Sequence, residues 1–394
     1  MLKGKTVVLG VTGSIAAYKI ANLARMLVKQ HCEVHVLMTQ NATNFINPIT
    51  FETLTKHKCL IDTFDRNFEF SVEHVALAKA ADVVMIAPAS ANVIGKIANG
   101  IADDMLTTTV MACPCKKIVS PAMNHNMFHN PIVQDNIEKL KHYGYEIVEP
   151  AHGMLANGDM GDGRMPDEEL LFEYIVKEIA FEKDMTGKKV LVTAGATVEA
   201  IDPVRFITNH SSGKMGFALA KNAMLRGADV TLVMGKCDSE PPVFVNTVKV
   251  QSAKDMYDAV IERADSMDII VKAAAVADYR PKNVSSEKVK KQDGNMSIEL
   301  ERTDDILKTL GERKNGQFIC GFSMETENML ANSRKKLEKK NCDMIVANNL
   351  KQDGAGFGGN TNIVTLITKD DEVQLEKMTK DEVAEKIFDF ILSR

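Results

Sequence analysis

No uninterrupted apolar run among the 394 residues approaches the ~18 that a membrane-spanning helix requires. No excess of positive charge is present either: 48 Lys and Arg stand against 53 Asp and Glu, a formal net charge of −5. That balance lacks the global field that bulk nucleic-acid binding needs. Cysteine is too scattered for a disulfide framework. Its seven copies are odd in number, which suits reduced thiols in a cytosolic protein. Cys113 and Cys115 flank Pro114 with no second pair and no His at ligand spacing, so this pair argues against a zinc centre. No array of ~20–50-residue repeats is visible. Met1-Leu2-Lys3-Gly4-Lys5 runs straight into a strand-like stretch, so no signal peptide is expected ahead of the fold.

What is present is ordinary globular composition, 45% hydrophobic and 26% charged. At ~150 residues per domain this length corresponds to two or three domains. Residues 5–11 read as a buried strand, 15–30 as a helix after the turn Thr12-Gly13-Ser14, and 33–38 as a second strand. Strand, Gly turn, helix, strand is a βαβ unit with a parallel sheet. Residues 188–194 start a second such series, followed by a helix near 216–226 and a strand over 229–234. A closing helix over 168–183 and the linker 184–187 place the domains at 1–183 and 187–394. The fold class is α/β, with two Rossmann-like doubly wound parallel sheets. Further short strands read at 82–87, 117–120, 268–271, 318–321 and 343–347. Ligands of open parallel sheets gather at the carboxyl ends of strands, so chemistry is sought just after each. The stretch 281–297 reads as a mobile polar loop with a hairpin leading to 298–300, and 381–392 as a helix.

In the first half, the turn at 10–17 ends a strand and opens a helix. Its glycines and free N–H groups suit a phosphate. Its spacing is neither a P-loop nor a full dinucleotide fingerprint, and a tight turn closing helix onto sheet explains it equally well. The block Pro88-Ala89-Ser90-Ala91-Asn92 is rich in small residues that let a flat ring approach the backbone. An N-cap at Ser90 or Asn92 is the alternative. Asn124, in Pro121-Ala122-Met123-Asn124-His125-Asn126-Met127, can bind a carboxylate through its amide N–H or form an Asx turn. His74 is not distinguished by spacing.

Together, the Gly-Ser-Ile-Ala-Ala-Tyr-Lys turn at 13–19, Glu73-His74, the 88–92 block and the 121–127 stretch closely resemble the flavin-mononucleotide-dependent cysteine decarboxylase family. The resemblance covers roughly residues 5–180. It implies a flavodoxin-like domain that binds FMN through Gly13, Ser14, Ile15, Thr39, Ser90 and Asn92. It also implies His74 as catalytic base and Asn124 as holder of the substrate carboxylate.

In the second half, residues 202–216 pack a cation, amides, hydroxyls and glycines ahead of a helix. That chemistry suits a phosphate or acyl phosphate better than a plain polar loop. Asp278 follows a strand, where it can hold Mg²⁺ or a hydroxyl. The run Lys288-Val289-Lys290-Lys291 can close over a triphosphate or simply be solvated. Lys336 and Lys340 share one helical face. The Asp-Pro-Val-Arg…Asn-His-Ser-Ser-Gly-Lys-Met-Gly stretch, Ala-Val-Ala-Asp-Tyr-Arg-Pro, the Lys-Val-Lys-Lys run and Gly321-Phe322-Ser323-Met324-Glu325-Thr326 resemble the phosphopantothenate–cysteine ligase family over roughly 187–394.

The two halves in this order are similar to the bacterial bifunctional family of coenzyme A synthesis. The resemblance implies that Asn209 and Arg205 serve an acyl-cytidylate step. It assigns Ala273, Ala274, Asp278, Lys288, Phe322, Lys336 and Lys340 to the nucleotide, with Asp304, Asp305, Ile306 and Leu307 as a cytosine-recognising segment. Asp278 would also be the Mg²⁺ ligand. The implied substrates are 4′-phosphopantothenate, cysteine and CTP. Ligation gives 4′-phosphopantothenoylcysteine, and flavin-dependent decarboxylation gives 4′-phosphopantetheine. A cytoplasmic homo-oligomer of decarboxylase trimers linked by ligase dimers is the implied assembly. One departure stands out. Asn157 occupies the flap position where the family normally carries a proton-donating Cys, and no Cys lies between 116 and 236. An amide is too weak an acid for that task. The alternatives are therefore a decarboxylase stalled at the enethiol or a flavin-binding protein without turnover.

Overall fold

The computed structural model describes residues 2–63, 73–155, 158–290, 296–325, 328–349 and 359–394. The chain divides into two units, Met1–Phe181 and Glu182–Arg394. The first opens with β1 (Thr6–Val11), a 3-10 turn at Ile15–Tyr18, α1 (Lys19–Lys29), β2 (Glu33–Met38) and α2 (Pro48–Thr55). There follow α3 (Glu73–Ala80), β3 (Val83–Ala89), α4 (Ala91–Ala98), α5 (Met105–Ala112), β4 (Lys116–Pro121), the single turn α6 (His125–Phe128), α7 (Pro131–His142) and β5 (Glu146–Ile147). The hairpin β6 (Ala151–Met154) and β7 (Met160–Arg164) precedes α8 (Glu168–Ile179).

Five parallel strands lie in the order β2-β1-β3-β4-β5. This is the flavodoxin-like winding, and the chain reverses direction between β1 and β3, opening a crevice at their carboxyl ends. β3 reads Val-Val-Met-Ile-Ala-Pro-Ala and is buried throughout, as a strand covered on both faces must be. α1 buries Ile20, Leu23, Ala24 and Leu27, one stripe at helical spacing. The helix expected over 15–30 is split. Ser14 accepts from the Ala16 N–H at 3.4 Å and caps a tighter turn before α1 begins.

The second unit contains β8 (Lys189–Ala194), β9 (Val198–Ala200), β10 (Phe206–Thr208), α9 (Lys214–Leu225), β11 (Asp229–Met234), β12 (Asn246–Lys249), α10 (Ala253–Ala264) and β13 (Ile269–Lys272). The hairpin β14 (Tyr279–Pro281) and β15 (Leu300–Arg302) leads to α11 (Ile306–Arg313), β16 (Phe318–Glu325), α12 (Met329–Lys339) and β17 (Met344–Asn349). β18 (Thr361–Asn362), β19 (Val364–Ile367), β20 (Glu372–Gln374), β21 (Met378–Thr379) and α13 (Lys380–Leu392) end the chain.

Its main sheet runs β12-β11-β8-β13-β16-β17-β19-β20. The first six strands are parallel and reproduce the Rossmann order 3-2-1-4-5-6. β19 and β20 extend the edge antiparallel, an addition the sequence reading did not contain. Gly216 lets α9 lie on β8: a Cβ there would sit 2.5 Å from the Ala194 Cβ and 2.9 Å from the Thr193 carbonyl oxygen. All seven cysteines are free thiols. Among the described residues no helix is long and apolar enough to cross a membrane.

Candidate active sites

The first site gathers at the carboxyl ends of β1 to β4. Buried Thr12, just past β1, donates from Oγ1 to the Pro88 carbonyl at 2.6 Å and accepts the Ser90 N–H at 2.9 Å. This ties the Gly13-Ser14 turn to the Ser90 block across the winding reversal. Ser90 caps α4, accepting the Val93 N–H at 3.4 Å. Asn92 is exposed in the first turn of α4. Thr39 follows β2, and its backbone N–H donates to the Val11 carbonyl at 3.0 Å. Its Oγ1 is buried without a hydrogen-bond partner among the described residues. An orphaned buried hydroxyl costs about 1–3 kcal/mol, and a ligand phosphate at this edge would satisfy it. The residues present therefore fit a flavin phosphate.

Beside this edge lies a cleft of about 500 Å³ lined by Ser14, Ile15, Asn124, Met154, Leu155 and Arg164 among others. Gly13 permits the close turn, since a Cβ would lie 2.9 Å from the Asn41 Cβ. The Asx turn of Asn124 is present. Its Oδ1 accepts the Asn126 N–H at 2.9 Å as the N-cap of α6, while its Nδ2 makes no hydrogen bond to any described residue. His74 is half-buried in the first turn of α3 and does not line the cleft of its own chain. Asn157 lies outside the described residues.

The second unit has two clefts that share Asp278. One, about 500 Å³, is lined by Asn209, the Ser211–Gly216 loop, Ala273, Ala274, Asp278 and Phe322. Asn209 Nδ2 donates to the Val276 carbonyl at 3.2 Å, and Thr208 Oγ1 to the Thr197 carbonyl at 2.7 Å. The first bond fixes the loop against the segment after β13 and the second against the segment after β8. The other cleft, about 720 Å³, is lined by Asp278, Asp304, Asp305, Ile306, Leu307, Lys336 and Lys340. Asp305 caps α11, accepting the Lys308 N–H at 2.9 Å, and is paired with Lys340. Burial alone would raise the Asp305 carboxyl, but the Lys340 pairing and that N–H hold it below its ordinary value. Lys336 Nζ donates to the Phe322 carbonyl at 2.9 Å.

Two expected residues stand apart. Lys288 is exposed and lines neither cleft. Arg205 lines neither cleft and is bound to Asp202 and to the Val289 carbonyl. Among the lining residues of the larger cleft that went unnamed is Lys272, the last residue of β13. Burial, reinforced by Lys336 nearby, pulls its ammonium down to about 8. No hydrogen bond or ion pair to a described residue holds it. It lies one residue beyond the strand read over 268–271, where a Lys points toward the carboxyl edge at which ligands bind.

Comparison with known proteins agrees with this architecture. Residues 1–180 match the family model Flavoprotein, and residues 185–394 match the DNA/pantothenate metabolism flavoprotein C-terminal domain. The coenzyme A biosynthesis bifunctional protein CoaBC of Bacillus subtilis is 48% identical over 373 residues, 94% of this chain and 92% of that one. The protein of the same name from Vibrio cholerae is 43% identical over 393 residues, 99% and 98% of the two chains. A crystal structure of the C-terminal domain of a coenzyme A biosynthesis bifunctional protein CoaBC is 48% identical, covers 52% of this chain and 95% of its own, and superposes with a TM-score of 0.46. The chain therefore belongs to the CoaBC family of bifunctional coenzyme A biosynthesis proteins, flavoprotein enzymes with phosphopantothenoylcysteine decarboxylase and phosphopantothenate–cysteine ligase activities.

Proposed function

We propose that the second unit ligates 4′-phosphopantothenate to cysteine at the expense of CTP, and that the first unit decarboxylates the product with FMN. The observation that carries this reading is the pair of clefts joined at Asp278, one lined by small residues, amides and hydroxyls, the other by lysines and the start of α11. The substrate carboxylate attacks the α-phosphorus of CTP, releasing pyrophosphate and forming the acyl cytidylate. The cysteine amine then attacks the acyl carbon and CMP leaves. Asn209 donates to the acyl oxygen, and Lys272, Lys336 and Lys340 neutralise phosphate charge. Asp278, between the clefts, supplies the carboxylate for Mg²⁺. The N–H groups of 304–307 read the base. Arg205 positions the Lys288 loop rather than touching the anhydride.

In the first unit, Ser14, Thr39, Ser90 and the free N–H groups of α4 hold the cofactor phosphate. Asn92 and the backbone at Gly13 and Ile15 complete that cradle. Bound FMN supplies the two-electron oxidation that makes the carboxylate beside the thiol-bearing carbon easy to lose, and later returns those electrons. Asn124 Nδ2 holds that carboxylate. His74 takes the thiol proton from a neighbouring protomer's substrate, which is why a homo-oligomer is part of this reading. Seven free thiols support a cytoplasmic setting. Family membership favours completion to 4′-phosphopantetheine over a stall at the enethiol. The Asn157 amide then serves no proton transfer, and the donor is another group or water.

The ligase assignment is tested with 4′-phosphopantothenate, cysteine and each nucleoside triphosphate in turn. CTP with Mg²⁺ should release one CMP per amide formed, and a chelator should stop it. Equal turnover with no divalent ion, or no CMP, would remove Asp278 and CTP from the reading.

A further inference from the structure

Helix α6 and the β6–β7 hairpin bring together four ligand-type side chains that neither reaction uses. His125 and His129 are four residues apart, at the start of α6 and at its C-cap, so their rings fall on one face. The ring centroids are 4.4 Å apart. Asp162 of β7 reaches them from the hairpin. Its Oδ2 lies 2.9 Å from His129 Nε2, and its Oδ1 lies 3.0 Å from Nδ1 of His152 on β6. The Asp162 backbone N–H donates to His125 Nδ1 at 3.1 Å. Ligand atoms of His125, His129 and Asp162 all lie within 4.8 Å of one another. Gly161 makes the approach possible, since a Cβ there would lie 2.7 Å from His125 Nδ1.

We propose that His125, His129 and Asp162, with water as the remaining ligand, form a binding site for a divalent transition ion of the Zn²⁺ type, which fastens the β6–β7 hairpin to α6, while His152 on Asp162 Oδ1 orients that carboxylate. Two imidazoles and one carboxylate select such an ion over Mg²⁺ or Ca²⁺, which take oxygen ligands. Zn²⁺ bonds at ~2.0–2.2 Å in a tetrahedron put neighbouring ligand atoms ~3.4 Å apart. The His129 Nε2–Asp162 Oδ2 pair at 2.9 Å needs to open by only a few tenths of an ångström. His125 exchanges the Asp162 N–H for the ion, and that N–H, on a half-exposed residue, passes to water. The ion would also set the shape of the neighbouring cleft. Asn124, just before α6, lines that cleft together with Met154, Gly163 and Arg164 of the hairpin, and the Met123 N–H donates to the Gly163 carbonyl at 3.0 Å. The metal claim does not depend on which reaction that cleft performs.

The test is equilibrium dialysis of the full-length, chelator-treated protein against Zn²⁺, paired with a Co²⁺ titration read in the visible spectrum. The expected result is one ion per chain, with the intense d–d bands of tetrahedral Co²⁺ and no thiolate charge-transfer band. Asp162→Asn and His129→Ala should each weaken binding about 100-fold or more, while His142→Ala leaves it unchanged. Circular dichroism and flavin content report folding, and His129→Asn replaces any variant that fails to fold. No binding above a surface-histidine background, an octahedral or thiolate Co²⁺ spectrum, or full retention by folded Asp162 and His129 variants would overturn the proposal.

Discussion

Arg205 donates a 2.5 Å hydrogen bond to the carbonyl of Val289, 84 positions further along the chain. The Val289 N–H donates in turn to Asp202 Oδ2 at 3.2 Å, and Arg205 grips the same oxygen through Nε and Nη2 at 2.9 and 2.6 Å. Asp202 is buried. Burial alone would raise its carboxyl, but the N–H groups of Val204, Arg205 and Val289 and the Arg205 fork hold it well below the usual carboxylate range. A depressed carboxylate contributes its clamp above the unfolded value of ~3.9 and loses it only as pH falls toward the folded one. The residue held in place is the neighbour of Lys288.

Arg205→Lys keeps the charge and loses the fork. Misplacing the Lys288 loop by about an ångström should lower ligase kcat/KM by about 10–100-fold and leave decarboxylation of supplied 4′-phosphopantothenoylcysteine unchanged. Separate assays of the two steps check this. Unaltered ligation would detach the clamp from the reaction.

Lys272 gives a pH signature. Its ammonium is charged below about 8 and neutral above, so nucleotide affinity should fall as pH rises through that value. Lys272→Met should bind CTP more weakly by about 10-fold or more at neutral pH, the loss expected for one charge-assisted contact. Its affinity should be flatter with pH. Calorimetric titration from pH 6 to 9 (a range centred near the value above) measures both. An identical pH slope in the two proteins would exclude Lys272 as the titrating group.

Much of the frame is legible locally. Strands β2 and β11 coincide with the ranges read from sequence, because each is a short apolar run closed by turn residues. Strand order is another matter. Nothing near β1 says that β3 pairs with it rather than β4, since that depends on packing both faces of the sheet. β19 and β20 escaped notice because their pairing is nonlocal, and β20 is exposed along its length. Asn209, Asp278 and Phe322 were named from separate motifs, and the fold brings them to one cleft. The Asp202–Val289 link spans 87 positions and leaves no trace in spacing. Lys272 was passed over because it falls between the strand read over 268–271 and the small-residue run that begins at Ala273.

His74 and Asn124 supply a test of assembly. His74 does not line the Asn124 cleft of its own chain. If the two meet across protomers, His74→Asn and Asn124→Ala chains should each lose about 10²–10⁴-fold in decarboxylation. Mixed oligomers formed by coexpression should recover activity well above either parent, because some interfaces then pair an intact His74 with an intact Asn124. Mixed oligomers as inactive as the parents would place both residues' work within one chain.

The most direct measurement is product identity by mass spectrometry, starting from 4′-phosphopantothenate, cysteine, CTP and Mg²⁺ with the full-length protein. The account predicts 4′-phosphopantetheine, with one CMP and one CO₂ per cysteine consumed. It predicts the same product from Asn157→Ala, since an amide cannot be the proton donor. Accumulation of 4′-phosphopantothenoylcysteine, or of its decarboxylated enethiol, would contradict it.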